Sequence, residues 1–192
     1  MAGKTIIAPA SALGRGGVSV IRMSGDHSKQ IAEAMCGSLA ESWKFKKCKI
    51  RSSEGQVLDS GMVVFFESPN SYTGEDVVEF HCHGNPAIVN LILEDAVNRG
   101  ARVAEPGEFT KTAFLNDKID LAQAESVADL INAQSKSAII AAGSSLSGEF
   151  SSKVDSIVEG LIKTRVVVEA HIDFPEEDID PLLLEKIFKD LL

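Results

Sequence analysis

The rhythm of apolar and polar positions along the chain changes once, near Asp120. Before that point, short apolar runs alternate with segments of helical spacing, and Gly and Pro mark the joints. Thr5–Ala8 and Val18–Met23 read as strands around the glycine loop Gly14-Arg15-Gly16-Gly17. By itself that loop predicts a tight hairpin, with an anion-binding turn of backbone N–H groups as the alternative. Asp26–Cys36 is expected to be a helix, entered through Ser24-Gly25 and left at Gly37. Phe45–Arg51, Val57–Glu67 and Val77–His83 are three further strand candidates. Pro86–Asn98 reads as a helix with Pro in its first turn and Gly100 just past its end. Ala101–Ala104 reads as a short strand, and Glu108–Leu115 as a short helix after Pro106-Gly107. Strands and helices interleaved in this way predict an α/β or α+β domain.

After Asp120 the next proline is Pro175, and Gly143, Gly148 and Gly160 are the remaining glycines, so long helices are expected. Asp120 with Gln123 has capping-box spacing, followed by an apolar line through Leu121, Ala124, Ala128, Ile131 and Ala138. From Phe150 a second line runs through Val154, Ile157, Leu161, Thr164 and Val168. It forms a coiled-coil-like seam of about two and a half heptads, most simply one side of an antiparallel helical hairpin. Asp173-Phe174-Pro175-Glu176-Glu177-Asp178 is expected to end the helix, and Leu182–Leu192 to begin a further apolar element that runs to the end of the sequence. An incomplete all-α part is therefore expected.

The 192 residues are 44% hydrophobic and 24% charged, which excludes wholesale disorder. The net charge of −9 is concentrated. Residues 1–119 hold 13 basic and 14 acidic groups, whereas residues 120–192 hold 6 and 14. A near-neutral domain thus carries an acidic helical arm, and neither half has the basic surplus needed to wrap nucleic acid unaided. No apolar run approaches the roughly 20 residues of a membrane span, and no signal-peptide pattern opens the sequence, so a cytoplasmic protein without a membrane partner is expected. Cys36, Cys48 and Cys82 have neither disulfide-framework nor zinc-knuckle spacing. The phosphate loop GxxxxGK[ST] is absent, so no nucleoside triphosphate site can be argued from these residues.

Candidate chemistry gathers on a few side chains. Glu79, His81 and His83 alternate and so share one strand face, with Val78, Phe80 and Cys82 on the other. Zinc is one reading of that trio, but positions i and i+2 lie nearly in line and no fourth ligand is evident, so no metal site is expected. Cys82 reads as a buried thiol. The Glu79 carboxylate offers two acceptors matching paired N–H donors of a heterocycle; the alternative is an exposed acid on an edge strand. Arg22 ends an apolar strand, where it suits an anionic group or a surface ion pair. Lys118 stands at the junction of the two parts, either beside a crevice or simply solvated.

Taken in order, GRGGVSVIRMSG at 14–25, PNSYTGEDVVEFHCHG at 69–84, ARVAEPGEFTKTAFLNDKIDLAQAESVADLI at 101–131 and HIDFPEED at 171–178 closely resemble the N-terminal part of the MnmE (TrmE) family of tRNA-modification GTPases. The resemblance covers nearly the whole chain. It implies that residues 1–118 form a folate-binding and dimerisation domain, similar to the folate-binding fold of the glycine-cleavage aminomethyltransferase. Residues 119–192 would begin a helical domain, with a Ras-like GTPase domain and a terminal cysteine motif outside this sequence. The cofactor implied is a tetrahydrofolate derivative (5-formyl- or 5,10-methylene-tetrahydrofolate), held through Arg22, Glu79 and Lys118; no catalytic residue is implied here. For the complete protein the resemblance implies GTP hydrolysis with Mg and K, a homodimer, and action on C5 of the wobble uridine of tRNA with the FAD-dependent partner MnmG (GidA). The alternatives are a dimerisation module without a retained ligand and a stand-alone one-carbon transferase. Two departures from the family pattern carry expectations of their own. Ala12-Leu13 replace a common Pro-Pro, which predicts a less rigid loop, and Asn85 replaces a glycine, where Asn is expected to keep the turn by tolerating a left-handed backbone.

Overall fold

Six strands, several of them with alternating burial, build one mixed sheet, followed in the chain by helices. The structure, a computed structural model, describes residues 5–173, which fall into two units divided between Ile119 and Asp120. In chain order the first unit holds β1 (Ile6–Pro9), β2 (Gly16–Ser24), α1 (Ser28–Cys36), β3 (Lys46–Arg51), β4 (Val57–Phe66), β5 (Val77–Gly84), α2 (Pro86–Asn98), β6 (Arg102–Val103) and α3 (Glu108–Leu115). The sheet order is β3-β4-β5-β2-β1-β6, antiparallel throughout except for the parallel β1–β6 pair. The predicted strands and helices of this unit all form, with ends displaced by a residue or two.

One face of the sheet is a continuous apolar layer. Ile21 and Met23 of β2, Val63 and Phe65 of β4, and Val78 and Phe80 of β5 lie in register and are buried. Ile31, Ala32 and Met35 of α1 and Val89, Ile92 and Ala96 of α2 complete this core. Each large side chain fully buried there stabilises the fold by about 1.5–3 kcal/mol. Because side chains alternate, the intervening residues Arg22, Val64, Glu79 and His81 are placed on the opposite face.

Two glycine-bearing segments differ from expectation. Gly16 and Gly17 already belong to β2 rather than to the turn. Gly16 pairs with Gly84 so closely that a Cβ on Gly84 would stand 2.6 Å from the Gly16 carbonyl oxygen. These glycines serve the close approach of two strands as well as a turn. Asn85 does not use a left-handed backbone. It is extended (φ −121°), and its side chain accepts from the Ala87 N–H at 2.9 Å, capping α2 ahead of Pro86.

The second unit contains α4 (Leu121–Asn132), α5 (Lys136–Leu146) and α6 (Glu149–Asp173). The expected capping box is present, with Asp120 accepting from Gln123 N–H and Gln123 accepting from Asp120 N–H. The first apolar line does not stay on one helix. The chain breaks after Asn132, and Ser135 restarts it by accepting from Ala138 N–H, so Ala138 lies on α5. The helical hairpin is made by α4 and α5, tied by Ser126 Oγ to Ser145 Oγ at 2.7 Å and by Gln123 Nε2 to the Leu146 carbonyl at 3.0 Å. The seam of α6 is not packed in this way, since Phe150, Val154, Ile157, Leu161 and Val168 are 40–57% exposed. The expected stop at Pro175 and the apolar element Leu182–Leu192 lie outside the described residues. Among the described residues no helix is long and apolar enough to cross a membrane.

Candidate functional site

Cross-strand registry sets the centre of the site. Arg22 of β2 lies directly opposite Glu79 of β5, an interior strand flanked by β4 and β2, so Glu79 is not an edge residue. The Arg22 Nε and Nη2 both stand 2.8 Å from Glu79 Oε1, with side chains only 24% and 14% exposed. Charge-assisted contacts of this kind are strong where water is partly excluded. The Arg22 guanidinium also lies over the rings of Tyr72 and Phe109, at 4.9 and 5.8 Å from their centroids. Glu79 Oε2 points the other way, 3.5 Å from His81 Nε2, a buried nitrogen that has no hydrogen-bond partner among the described residues. Oε1 is therefore engaged by Arg22, and Oε2 accepts no hydrogen bond among the described residues.

Lys118 reaches the same place from the turn after α3. Its stem passes over Gly74, where a Cβ would stand 3.2 Å from Lys118 Cγ and Cδ, and where φ is +79°. Both space and backbone conformation thus call for glycine in the Ser71–Asp76 loop. Asn116 Nδ2 donates to the Thr73 carbonyl at 2.8 Å, docking the turn on that loop. Ser24 Oγ, within 2.7 Å of both Thr73 Oγ1 and Glu75 Oε2, fastens the loop to β2. Lys118 Nζ donates to the Pro69 carbonyl at 2.9 Å, and among the described residues it meets no carboxylate.

Arg22, Glu79 and Lys118 line one cleft of about 500 Å³ together with Trp43, Phe66, Asn70 and Tyr72. Sequence reasoning missed Trp43, the chain's single tryptophan. Its backbone has φ +67°, a left-handed conformation uncommon for a bulky residue and one that clusters at functional sites. Trp43 N–H donates to the Phe65 carbonyl at 2.8 Å, its Nε1 donates to the Asn70 carbonyl at 3.1 Å, and its ring meets Phe66 edge-on at 4.6 Å. The indole is nonetheless 63% exposed, so it presents a wall of defined orientation to the cleft. Its isolation in a polar stretch left no periodic signal by which to find it.

The Glu79-His81-His83 trio divides. His83 turns to Asp59 of β4, with Nδ1 2.8 Å from Oδ1, and the His81 ring packs edge-on against Phe45. No group of three His, Cys, Asp or Glu side chains able to hold a metal occurs among the described residues. Burial pushes the Asp59 carboxyl up, but bonds from the His83 backbone, the His83 ring and the Ser60 N–H together outweigh it and hold it below its ordinary range. Burial pushes the Cys82 thiol up to about 11, as expected for an inert core cysteine.

These features define a mixed-sheet domain with an aromatic-walled, charged cleft on the sheet face not covered by α1 and α2, and a separate helical unit. Residues 5–118 match the family described as "GTP-binding protein TrmE N-terminus", and residues 121–192 match "MnmE helical domain". The chain belongs to the TrmE/MnmE family. It is 53% identical over 176 residues to the tRNA modification GTPase MnmE of Neisseria gonorrhoeae (strain NCCP11945), covering 92% of this chain and 39% of that protein. It is 52% identical over 176 residues to the MnmE of Nitrosomonas eutropha, with the same coverage. For the MnmE of Coxiella burnetii (strain Dugway 5J108-111) the figures are 49% over 188 residues, 98% of this chain and 41% of that protein. The chain spans about two-fifths of the length of these curated relatives.

Proposed function

We propose that this chain is the tetrahydrofolate-binding, dimerising N-terminal part of a tRNA-modification GTPase. The observation that carries this reading is the convergence of Glu79, Arg22 and Lys118 in one cleft beside Trp43 and Tyr72. The donor set fits a reduced folate. Glu79 Oε2 offers an acceptor to one of the paired N–H donors of the pterin edge, and Trp43 and Tyr72 offer flat surfaces to its rings. Lys118, whose ammonium meets only a carbonyl among the described residues, suits the glutamyl carboxylate. Arg22 orients Glu79 through Oε1 and adds its positive charge to the cleft, so its part is to position the acceptor. When bound, a tetrahydrofolate supplies a one-carbon unit; this chain's residues bind and orient it.

In this reading the folate-binding fold resembles that of the aminomethyltransferase. GTP hydrolysis with Mg and K, the partnership with MnmG and modification of the wobble uridine are activities of the complete protein in the cytoplasm. Support comes from the relatives, named as tRNA modification GTPases, of whose length this chain spans about two-fifths. Titration calorimetry with 5-formyl-tetrahydrofolate tests the ligand assignment. Glu79→Ala is expected to weaken binding about 10- to 100-fold, corresponding to the loss of hydrogen bonds to a charged group. Undiminished affinity in that variant overturns the assignment. Sedimentation of the wild-type chain tests dimerisation, and a monomer at every concentration with and without folate would refute it.

A further inference from the structure

Two cysteines outside the cleft meet across the core. Cys36 is the last residue of α1 and is half-buried, with Gly37 following at φ +78°. Cys48 is buried in β3. The Cys48 and Cys36 Sγ atoms stand within hydrogen-bond reach of each other at 3.4 Å, although the two residues are twelve positions apart. A disulfide requires about 2.05 Å, so the sulfurs have about 1.4 Å left to close, a distance within reach of side-chain rotation. The pair is also chemically uneven. The shared hydrogen bond draws Cys48 below the ordinary thiol range, with the Lys46 ammonium adding to the effect, whereas the same bond and burial push Cys36 up. Two thiols in contact, one of them more easily ionised than the other, are poised for oxidation to a disulfide. Cys82 has no such partner, its Sγ standing 3.5 Å from the Ser19 carbonyl.

We propose that Cys36 and Cys48 are a reversible oxidation site, closed to a disulfide by a peroxide, and that closure constrains the segment carrying Trp43. The balance is simple. The two sulfurs give up two electrons and form one S–S bond. The O–O bond of hydrogen peroxide breaks, and the two thiol protons leave with its oxygens as water. A low-molecular-weight dithiol reverses the step. Closure makes a covalent ring of residues 36–48, and Trp43 lies within it. That segment is already tied near its two ends by Lys46 Nζ donating to the Ser38 carbonyl at 2.6 Å, and anchored in its middle by Trp43 N–H donating to the Phe65 carbonyl. A cross-link between α1 and β3 therefore acts on one wall of the cleft rather than on a free loop.

The test is peroxide treatment of the whole chain, followed by alkylation and peptide mapping. Lys44, Lys46 and Lys47 lie between the two cysteines, so trypsin separates them unless they are cross-linked. Expected is a Cys36–Cys48 linked peptide, Cys82 still alkylated, and full reversal by dithiothreitol. The fluorescence of Trp43, the only indole in the chain, should shift with the same dose dependence and should not respond in Cys36→Ser. Alkylation of all three thiols after peroxide treatment, or a link between two chains instead of within one, overturns the proposal. A linked peptide with unchanged Trp43 emission overturns the claimed effect on the cleft wall. Neither readout depends on whether the cleft binds a folate.

Discussion

Arg22 and Glu79 owe their contact to strand registry, and each keeps the other's charge from being stranded in a partly dry site. Arg22→Ala is expected to lower stability by about 1–3 kcal/mol in urea titrations, because Glu79 is left without its charged donor. Arg22→Ala combined with Glu79→Ala should cost less than the two single losses added, as contacting residues do. Asp59 supplies a pH signature at the same scale. Its folded-state pKa is lowered, so its contribution is complete above the unfolded value of about 3.9 and is lost as pH falls below it towards the folded value. Thermal melts from pH 6 downward should therefore show wild type losing stability in that acid window, and Asp59→Asn losing less. Parallel acid limbs in the two proteins would refute the assignment. Arg22, Glu79 and Lys118 were legible because they sit in recognisable motifs. The ion pair was not, because 57 residues separate its partners and only pairing of β2 with β5 brings them together.

Glycines separate the elements that tolerate change from those that do not. A Cβ on Gly61 in β4 would stand 2.1 Å from the His81 carbonyl oxygen in β5. Gly61→Ala must force the β4–β5 ladder apart at the strand that carries Glu79, and a loss of about 3 kcal/mol or more is expected. Gly143 lies inside α5 with nothing within 4 Å of where its Cβ would be. Gly143→Ala should therefore raise helical stability by about 0.5–1 kcal/mol. The break between α4 and α5 has the same kind of local cause. Ser135→Ala removes the cap on Ala138 N–H and should cost about 1 kcal/mol, read by circular dichroism melting. The apolar line through Ile131 and Ala138 concealed that break, since a serine that can cap interrupts a helix without disturbing the spacing of its apolar neighbours.

At the scale of the molecule, stability is unevenly distributed. The apolar core cluster lies wholly within residues 7–101, whereas the buried residues of the helical unit are Ser126 and Ala142 among those described. Residues 1–119 expressed alone should melt in one cooperative transition at a midpoint close to that of the whole chain. Residues 120–192 alone should give a broad, shallow helical transition. Failure of the first piece to melt cooperatively would show that the sheet unit depends on the helices. The exposed line of α6 agrees with this division, because an apolar seam left largely unburied among the described residues contributes little.

The sequence by itself determined the elements of the sheet unit, the change of architecture near Asp120 and the family, since these depend on local periodicity, caps, turns and motifs read along the chain. It also placed Arg22 and Glu79 on strands. Tertiary structure alone decided that Glu79 lies inside the sheet, that Arg22 grips one of its oxygens, and that Trp43 forms a wall with a left-handed backbone. It alone brought Cys36 and Cys48 to 3.4 Å. The physical reason is common to all four. Each depends on which strands and helices become neighbours, and that choice is made by burying the apolar face as a whole rather than by any stretch of sequence taken separately.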